Sequence, residues 1–207
     1  MSDPTDPVPK ATPPEQTVPY WRRHLRADGT WLPGAEGGPP GEDLAALRAG
    51  LGRAAFTVPA MWSYYVSTCD GRVTPELEAE HAALALYGLH QQSRREPMHT
   101  PRVNLGQALG DLRRRENGKA QNPERTVTGR ETTRDTALDR RVAAAVEATS
   151  LPPLLYRLRN LVPSLRAEAI ALDYDLLMKD LSCWRYPERR QRVRRRWGLG
   201  YYAGASA

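Results

Sequence analysis

Apolar residues recur at helical spacing along most of this chain, and they do not alternate with polar residues over any useful length. Leu44 and Leu47 fall on one face of a helix. Thr74 followed by Pro75 predicts a helix with a capped start, which continues to about Ser93. Two shorter helices are expected, over residues 20–25 and 59–65. Without a period-two segment we expect no strand, so the pattern predicts an all-α fold.

The C-terminal half gives the most regular pattern. Asn104 and Gln107 have the spacing of a capping pair at a helix start, and Asp173 has the position of a second N-cap. An apolar stripe stops at Pro163, where we expect a helix to end because proline removes a backbone donor. Pro187 then opens a last helix. Together these segments predict a compact bundle of roughly eight helices.

Polar and proline-rich stretches mark the limits of the bundle. Residues 1–18 contain five prolines and little to bury, so we expect a disordered N-terminal arm. Residues 117–133 are polar without periodicity and are predicted to form a mobile loop. The remainder divides into an N-terminal helical region, 19–103, and a C-terminal helical bundle, 104–207. We expect the two to form one compact unit.

Charge is concentrated near the C-terminal end of the chain. The segment Arg185–Trp197 contains seven arginines and one glutamate, so it carries the same net charge of +6 as the whole protein of 207 residues. A localised cationic surface of this kind is suited to holding polyanions. The alternative is a solvated, arginine-rich terminal helix with no ligand.

Helical periodicity divides this segment into an apolar seam with arginines on both sides. Tyr186, Val193 and Trp197 fall within about 40° of one another around a helix. They are predicted to pack inward, while the flanking arginines point outward. Those arginines are Arg189, Arg192 and Arg196 on one side and Arg190 and Arg194 on the other.

A second basic segment, Arg102–Arg134, carries eight basic and four acidic residues. Charge clustering makes Arg53, Arg102, Arg113 and Arg114 candidate contacts to a phosphate chain. Arg113 and Arg114 also end a helix, where cations favour the helix dipole without any ligand. No helix stands out with the Asn, Gln or Arg arrangement that reads base edges, so binding without sequence specificity is the better prediction.

Other function classes find little support in the sequence. No apolar run approaches the length of a membrane helix, about 18 residues, and the N-terminus lacks the hydrophobic stretch of an export signal. We therefore expect a cytoplasmic protein that makes no membrane contact. Its two cysteines, Cys69 and Cys183, are expected to stay reduced.

Catalytic and metal-binding patterns are missing as well. The chain has no C-x-x-C, and its four histidines are never paired at i, i+4, so we expect no metal and no cofactor. Without a nucleophile elbow or a phosphate-binding loop, the protein is predicted not to be an enzyme. His81 lies near an apolar helix face and is interpreted as a core or rim residue. Asp173 and Asp175 form a possible carboxylate pair, but helix capping explains them better.

An ordered set of helical segments resembles a known family. The segments are Tyr20-Trp21, Leu47-Arg48, Pro59–Trp62, Asn104–Leu109, Leu154–Val162, Leu172–Leu181 with Trp184, and Pro187–Arg194 with Trp197. In this order they are similar to the small subunit (CasB family) of the type I-E CRISPR surveillance complex, Cascade, over about residues 19–202. Gln107 stands where the family often has Arg, and residues 117–133 have no counterpart in it.

The resemblance implies an all-helical, non-catalytic subunit that works in antiviral defence. Such subunits sit as a pair in the complex, where they contact the backbone subunits and each other. They stabilise the duplex of guide RNA and target DNA and hold the displaced DNA strand. Family position implies nucleic-acid contacts at five residues of this chain, and the arginine-rich helix adds a sixth. The five are Arg48, Arg141, Arg159, Lys179 and Arg189, and the sixth is Arg192.

Two other hypotheses stay open at this point. A helical transcriptional regulator with a helix-turn-helix would bind one duplex sequence far more tightly than random DNA. A hydrolase would depend on the pair Asp173 and Asp175 alone.

Overall fold

The structure, a computed structural model, describes residues 18–120 and 136–203. Apart from two isolated β-bridges, the regular structure of these residues consists of seven α-helices and two short 3-10 helices. They are the 3-10 helix Tyr20–Arg22, α1 (Gly41–Arg48), the 3-10 helix Pro59–Tyr64, α2 (Pro75–Gln91), α3 (Leu105–Ala120), α4 (Ala137–Glu147), α5 (Leu151–Ala167), α6 (Tyr174–Cys183) and α7 (Pro187–Tyr202). The predicted all-α bundle is confirmed.

The structure confirms the predicted starts of α2, α3 and α6. In each case the capping bonds join residues no more than three positions apart. The Thr74 side chain accepts a hydrogen bond from the backbone of Leu77. Asn104 and Gln107 exchange bonds between side chain and backbone in both directions. The Asp173 carboxylate accepts from two backbone N–H groups in the first turn of α6.

The predicted helix ends are less accurate. Helix α5 does not stop at Pro163 but continues to Ala167. Pro163 has no N–H to donate to the carbonyl of residue 159, but residue 159 is exposed to solvent. Burial of Leu165 anchors the last turn of the helix. Helix α3 runs to Ala120, so the predicted mobile loop at 117–133 begins as helix, and the rest of it lies outside the described residues. The predicted arm at 1–18 also lies outside them, except for its last residue.

Three glycines let α3 and α7 cross at close range. A Cβ on Gly106 would overlap the backbone of Trp197, and a Cβ on Gly110 would lie 2.8 Å from the carbonyl oxygen of Tyr201. A Cβ on Gly200 would lie 2.8 Å from the backbone nitrogen of Gln107. These positions require glycine for lack of space, and the close crossing fixes the arginine-rich helix to the bundle.

Helix α2 is the central element of one continuous hydrophobic core. It packs against α1, α5 and α6. Its buried residues include His81, which is confirmed as a core residue with both ring nitrogens bonded. Cys69 and Cys183 are free thiols. Among the described helices, none combines the length and the apolar character that a membrane crossing requires.

Candidate nucleic-acid interface

Four arginines at the start and along the outer side of α7 are exposed. We call Arg185, Arg189, Arg192 and Arg195 the terminal arginine group. Within the described residues, none of them pairs with a carboxylate. The Arg189 guanidinium lies 5.0 Å from the centre of the Tyr186 ring, a cation–π contact that holds the charge at the surface. Guanidiniums that have no internal carboxylate partner are suited to binding phosphate oxygens.

Tyr186 does not join the apolar seam of α7, contrary to the sequence prediction. Val193 and Trp197 are buried as expected, but Tyr186 is exposed. Pro187 begins the helix, so Tyr186 is the N-cap and leaves the helical register. Its ring packs against the outward arginines instead of the core.

Arg190 and Arg194 turn inward, which also differs from the prediction that both edges of α7 point outward. Arg194 donates to the carbonyls of Glu147 and Ala148 at 3.0 and 2.9 Å. Arg190 donates to the carbonyls of Thr149 and Trp184. The last carbonyls of a helix have no partner inside it. The two guanidiniums therefore supply hydrogen bonds to carbonyls at and just after the end of α4. They fix α7 to the bundle and are not free to bind a ligand.

Arg196 is also held by the core. It pairs with Asp180 of α6, a carboxylate that is only 1% exposed and also accepts a 2.7 Å hydrogen bond from the Trp197 indole. Burial raises the pKa of Asp180 to about 6, and the bonds from Arg196 and Trp197 only partly offset that effect. The pair therefore joins α6 to α7 beside the terminal arginine group.

A second group of cations surrounds the turn that follows α1. We call Arg48, Arg53 and Arg159 the turn arginine group. Arg48 ends α1, and Arg53 follows in the turn, whose backbone bonds run from Leu51 to Arg48 and from Arg53 to Gly50. The Nη1 atom of Arg159, on α5, lies 3.9 Å from where a Cβ on Gly52 would be. Arg159 thus approaches the turn that Arg48 and Arg53 flank, and no carboxylate pairs with the three cations among residues 18–120 and 136–203.

Buried contacts fix the position of this turn. His81 Nε2 lies 3.0 Å from the carbonyl oxygen of Gly50, which can only accept, so this nitrogen carries the proton. The other ring nitrogen then accepts from the Tyr65 hydroxyl at 2.6 Å. Burial lowers the pKa of His81 below its ordinary value, so the ring stays neutral and adds no repulsion to the neighbouring arginines.

Three further predicted residues are exposed at other places on the surface. Arg102 lies in the loop between α2 and α3, with a positive φ of 71°. Lys179 lies on α6. Arg141 lies on α4, with a long 3.5 Å contact to Ser164 on α5. None of the three has a carboxylate partner in the described part of the chain.

Arg113 and Arg114 already have internal partners. Arg113 Nε lies 3.0 Å from Asp139, and its guanidinium faces the rings of Tyr201 and Tyr202. Burial opposes ionisation of Asp139, but hydrogen bonds and the Arg113 charge keep the pKa of this carboxyl below its ordinary value. Arg114 pairs with Asp111 one turn earlier in the same helix. Internal contacts therefore account for Arg113 and Arg114 without a ligand, whereas the arginines of the two groups have no carboxylate partner in the part of the chain that the structure describes.

Sequence reasoning missed one polar cluster, because its histidine comes from a distant loop. Donor atoms of His99, Asp173 and Asp175 all lie within 4.8 Å of one another, the spacing of a metal site. Most of these atoms have other partners. His99 accepts from the Tyr174 backbone, Asp173 caps α6, and Asp175 accepts from the Trp21 indole. The cluster therefore serves to join the 3-10 helix Tyr20–Arg22 to the start of α6.

The fold and this surface define an all-helical protein that keeps two groups of arginines free at its surface. The chain belongs to the CRISPR-associated protein Cse2 family, whose model matches residues 43–202. No match is found among curated proteins.

Solved structures agree with this assignment. The chain is 31% identical to CasB from Thermobifida fusca, with a TM-score of 0.58 over 78% of this chain and 84% of that one. It is 25% identical to a Cse2-family CRISPR-associated protein from Thermus thermophilus, with a TM-score of 0.56 over 79% and 86%. A chain of a CRISPR RNA-guided surveillance complex shares the fold, at 23% identity and a TM-score of 0.53 over 80% and 83%.

Proposed function

We propose that this protein is a non-catalytic small subunit of an RNA-guided CRISPR surveillance complex of type I-E. In this role it binds nucleic acid through the sugar–phosphate backbone, stabilises the duplex of guide RNA and target DNA, and holds the displaced DNA strand. Membership of the Cse2 family supports the proposal. So does the fold shared with a chain of a CRISPR RNA-guided surveillance complex.

One observation carries the nucleic-acid part of the proposal. Arginines of the same chain divide into those held by internal acceptors, such as Arg113 and Arg194, and those left free. Seven of the free ones form the terminal and turn arginine groups. An arginine without an internal acceptor can bind a phosphate chain without giving up an existing bond. Contacts of this kind position a nucleic acid without reading its sequence.

The energetics of strand exchange favour such a role. Replacing a DNA duplex by an RNA–DNA hybrid is nearly balanced, so protein contacts to the backbones decide on which side the equilibrium lies. Sequence is then read by base pairing with the guide, and the subunit needs only charge and shape. We propose the backbone subunits of the complex and a second copy of this chain as its protein partners.

Charge reversal tests the proposal. Arg53→Glu with Arg159→Glu changes the turn arginine group, and Arg189→Glu with Arg192→Glu changes the terminal arginine group. Each pair should weaken binding of the whole protein to single-stranded DNA. It should also reduce the slope of log affinity against log salt by about 0.7 for each phosphate that the variant no longer binds. Circular dichroism should show unchanged helicity, because these side chains are exposed.

The matched control is the pair Arg26→Glu and Arg95→Glu. Both are exposed arginines outside the two groups, and the pair changes the net charge by the same amount. If the control weakens binding as much as the test pairs, then net charge and not these surfaces holds the strand. Purification from native cells gives a second test, in which a guide RNA and the backbone subunits should co-elute with the wild-type protein.

A further inference from the structure

Tyr156 is unusual among the nine tyrosines of the chain. This residue is 70% exposed, the highest value among the large hydrophobic residues that the structure describes. Six of the other tyrosines form hydrogen bonds through their hydroxyls. The remaining two, Tyr186 and Tyr202, each hold an arginine against the ring. Within the described residues, Tyr156 has neither a hydroxyl partner nor a ring partner.

The surroundings of Tyr156 on α5 are polar and cationic. Arg159 follows at i+3 and Asn160 at i+4, so both side chains are its neighbours on the helix surface. Asn160 donates its amide N–H to the Tyr156 carbonyl at 3.1 Å, and its own carbonyl oxygen stays available. Arg159 reaches the turn at Gly52 and belongs to the turn arginine group. An open aromatic ring therefore lies at the edge of a cation cluster.

We propose that Tyr156 is a stacking platform for an unpaired base of a single strand whose phosphates bind the turn arginine group. The inference rests on the proposed function and adds a contact to the base that the arginines do not make. Aromatic rings accept any base face, so the contact adds affinity without sequence preference. Arg159 would bind a phosphate, and the Asn160 carbonyl oxygen would accept from the base or sugar.

Charge complementarity favours a nucleic acid over a protein at this position. An isolated aromatic ring in a protein contact usually belongs to a larger apolar patch with a polar rim. Here the exposed neighbours on α5 are Arg159 and Asn160 on one side and the two prolines Pro152 and Pro153 on the other, and the nearest group of charges is cationic. Single-strand binding surfaces combine a cationic groove with exposed aromatics in this way.

Abasic DNA separates stacking from phosphate binding. The measurement is the affinity of the full chain for a single-stranded oligodeoxythymidylate of about 16 nucleotides and for an abasic strand of equal length, both at low salt. Tyr156→Ala should weaken binding of the thymidylate strand on the order of ten-fold. The same change should leave the abasic strand unaffected, and Tyr156→Phe should bind both strands like the wild type.

A control and three outcomes make the test decisive. Tyr202→Ala removes another exposed ring, one already covered by Arg113, and should change neither affinity. Equal losses on both strands would reject stacking. Unchanged affinities for Tyr156→Ala, with losses for the Arg53 and Arg159 reversal, would reject the platform but keep the proposed function. The platform would also be rejected if Tyr156→Ala impaired only the association with protein subunits.

Discussion

Arginine side chains in this protein meet three different environments. Arg192 stays exposed, Arg194 caps the end of another helix, and Arg113 pairs with a buried carboxylate. The same residue type therefore serves the surface, the packing of helices and the core. An arginine that already donates to carbonyls or a carboxylate would have to give up those bonds to hold a phosphate, so only the first kind is suited to binding.

At the residue scale, the close crossing of α3 and α7 gives the sharpest stability prediction. Gly106→Ala should lower the free energy of unfolding by about 3 kcal/mol or more, because the new Cβ meets the Trp197 backbone, which cannot move aside. Gly118→Ala, in the same helix with open space around it, should raise the free energy of unfolding by about 0.5–1 kcal/mol. Urea unfolding of both variants checks the pair, and equal effects would contradict the close crossing.

Asp180 gives a prediction about pH. Its pKa in the folded protein is about 6, above the ordinary carboxyl value, so the folded state retains a proton that the unfolded state has lost. The resulting stabilisation is present at low pH and is lost as pH rises through about 6. Asp180→Asn keeps the acceptor for Trp197 but does not titrate.

The measured quantity is the difference in unfolding free energy between wild type and Asp180→Asn at several pH values. As pH rises from about 4 to 6, the wild type should lose stability relative to the variant by up to about 1.4 kcal/mol per pH unit. Above that range the difference should stay constant. A gain for the wild type over the same interval would show that the Arg196 ion pair, and not burial, dominates this carboxylate.

At the element scale, α7 has an exposed side with arginines that are unpaired within the described residues and a side that contacts the rest of the bundle. Arg194→Met keeps the apolar stem but removes two hydrogen bonds to the end of α4, so it should cost about 1–3 kcal/mol of stability. Arg192→Met removes an exposed charge and should stay within about 0.5 kcal/mol of the wild type. Thermal unfolding measures both changes in stability. Binding to single-stranded DNA should weaken more for Arg192→Met than for Arg194→Met.

The helices could be predicted from sequence where their signals are local. Thr74, Asn104 and Asp173 cap their helices through bonds within three residues, so spacing alone was sufficient. The stop at Pro163 was wrong because packing of the following turn against the core outweighs the missing donor. Local rules describe the start of an element better than its end.

The candidate interface could be predicted only in part. Charge pattern located the arginine-rich helix, but which of its arginines stay free depends on the end of α4, more than 40 residues earlier in the chain. The meeting of Arg159 with the turn at Gly52 spans an even larger separation. Such contacts depend on tertiary packing, which periodicity in a single sequence does not specify.

At the scale of the whole molecule, one core connects both groups of arginines. Helix α2 packs against α1 and α5, which carry Arg48 and Arg159 of the turn arginine group, and against α6, which Asp180 and Arg196 link to α7. The two cationic surfaces are therefore held by a common rigid body. A strand that contacts both would be bound in a defined path without any base being read.

The most direct test is the Kd of the whole protein for two single-stranded DNAs of unrelated sequence, measured over a range of salt concentrations. The two Kd values should agree within about three-fold, and log affinity should fall with log salt at a slope of about −0.7 for each phosphate contacted. A Kd that does not respond to salt, or a preference of about a thousand-fold for one sequence, would contradict the proposal that unpaired arginines bind the sugar–phosphate backbone.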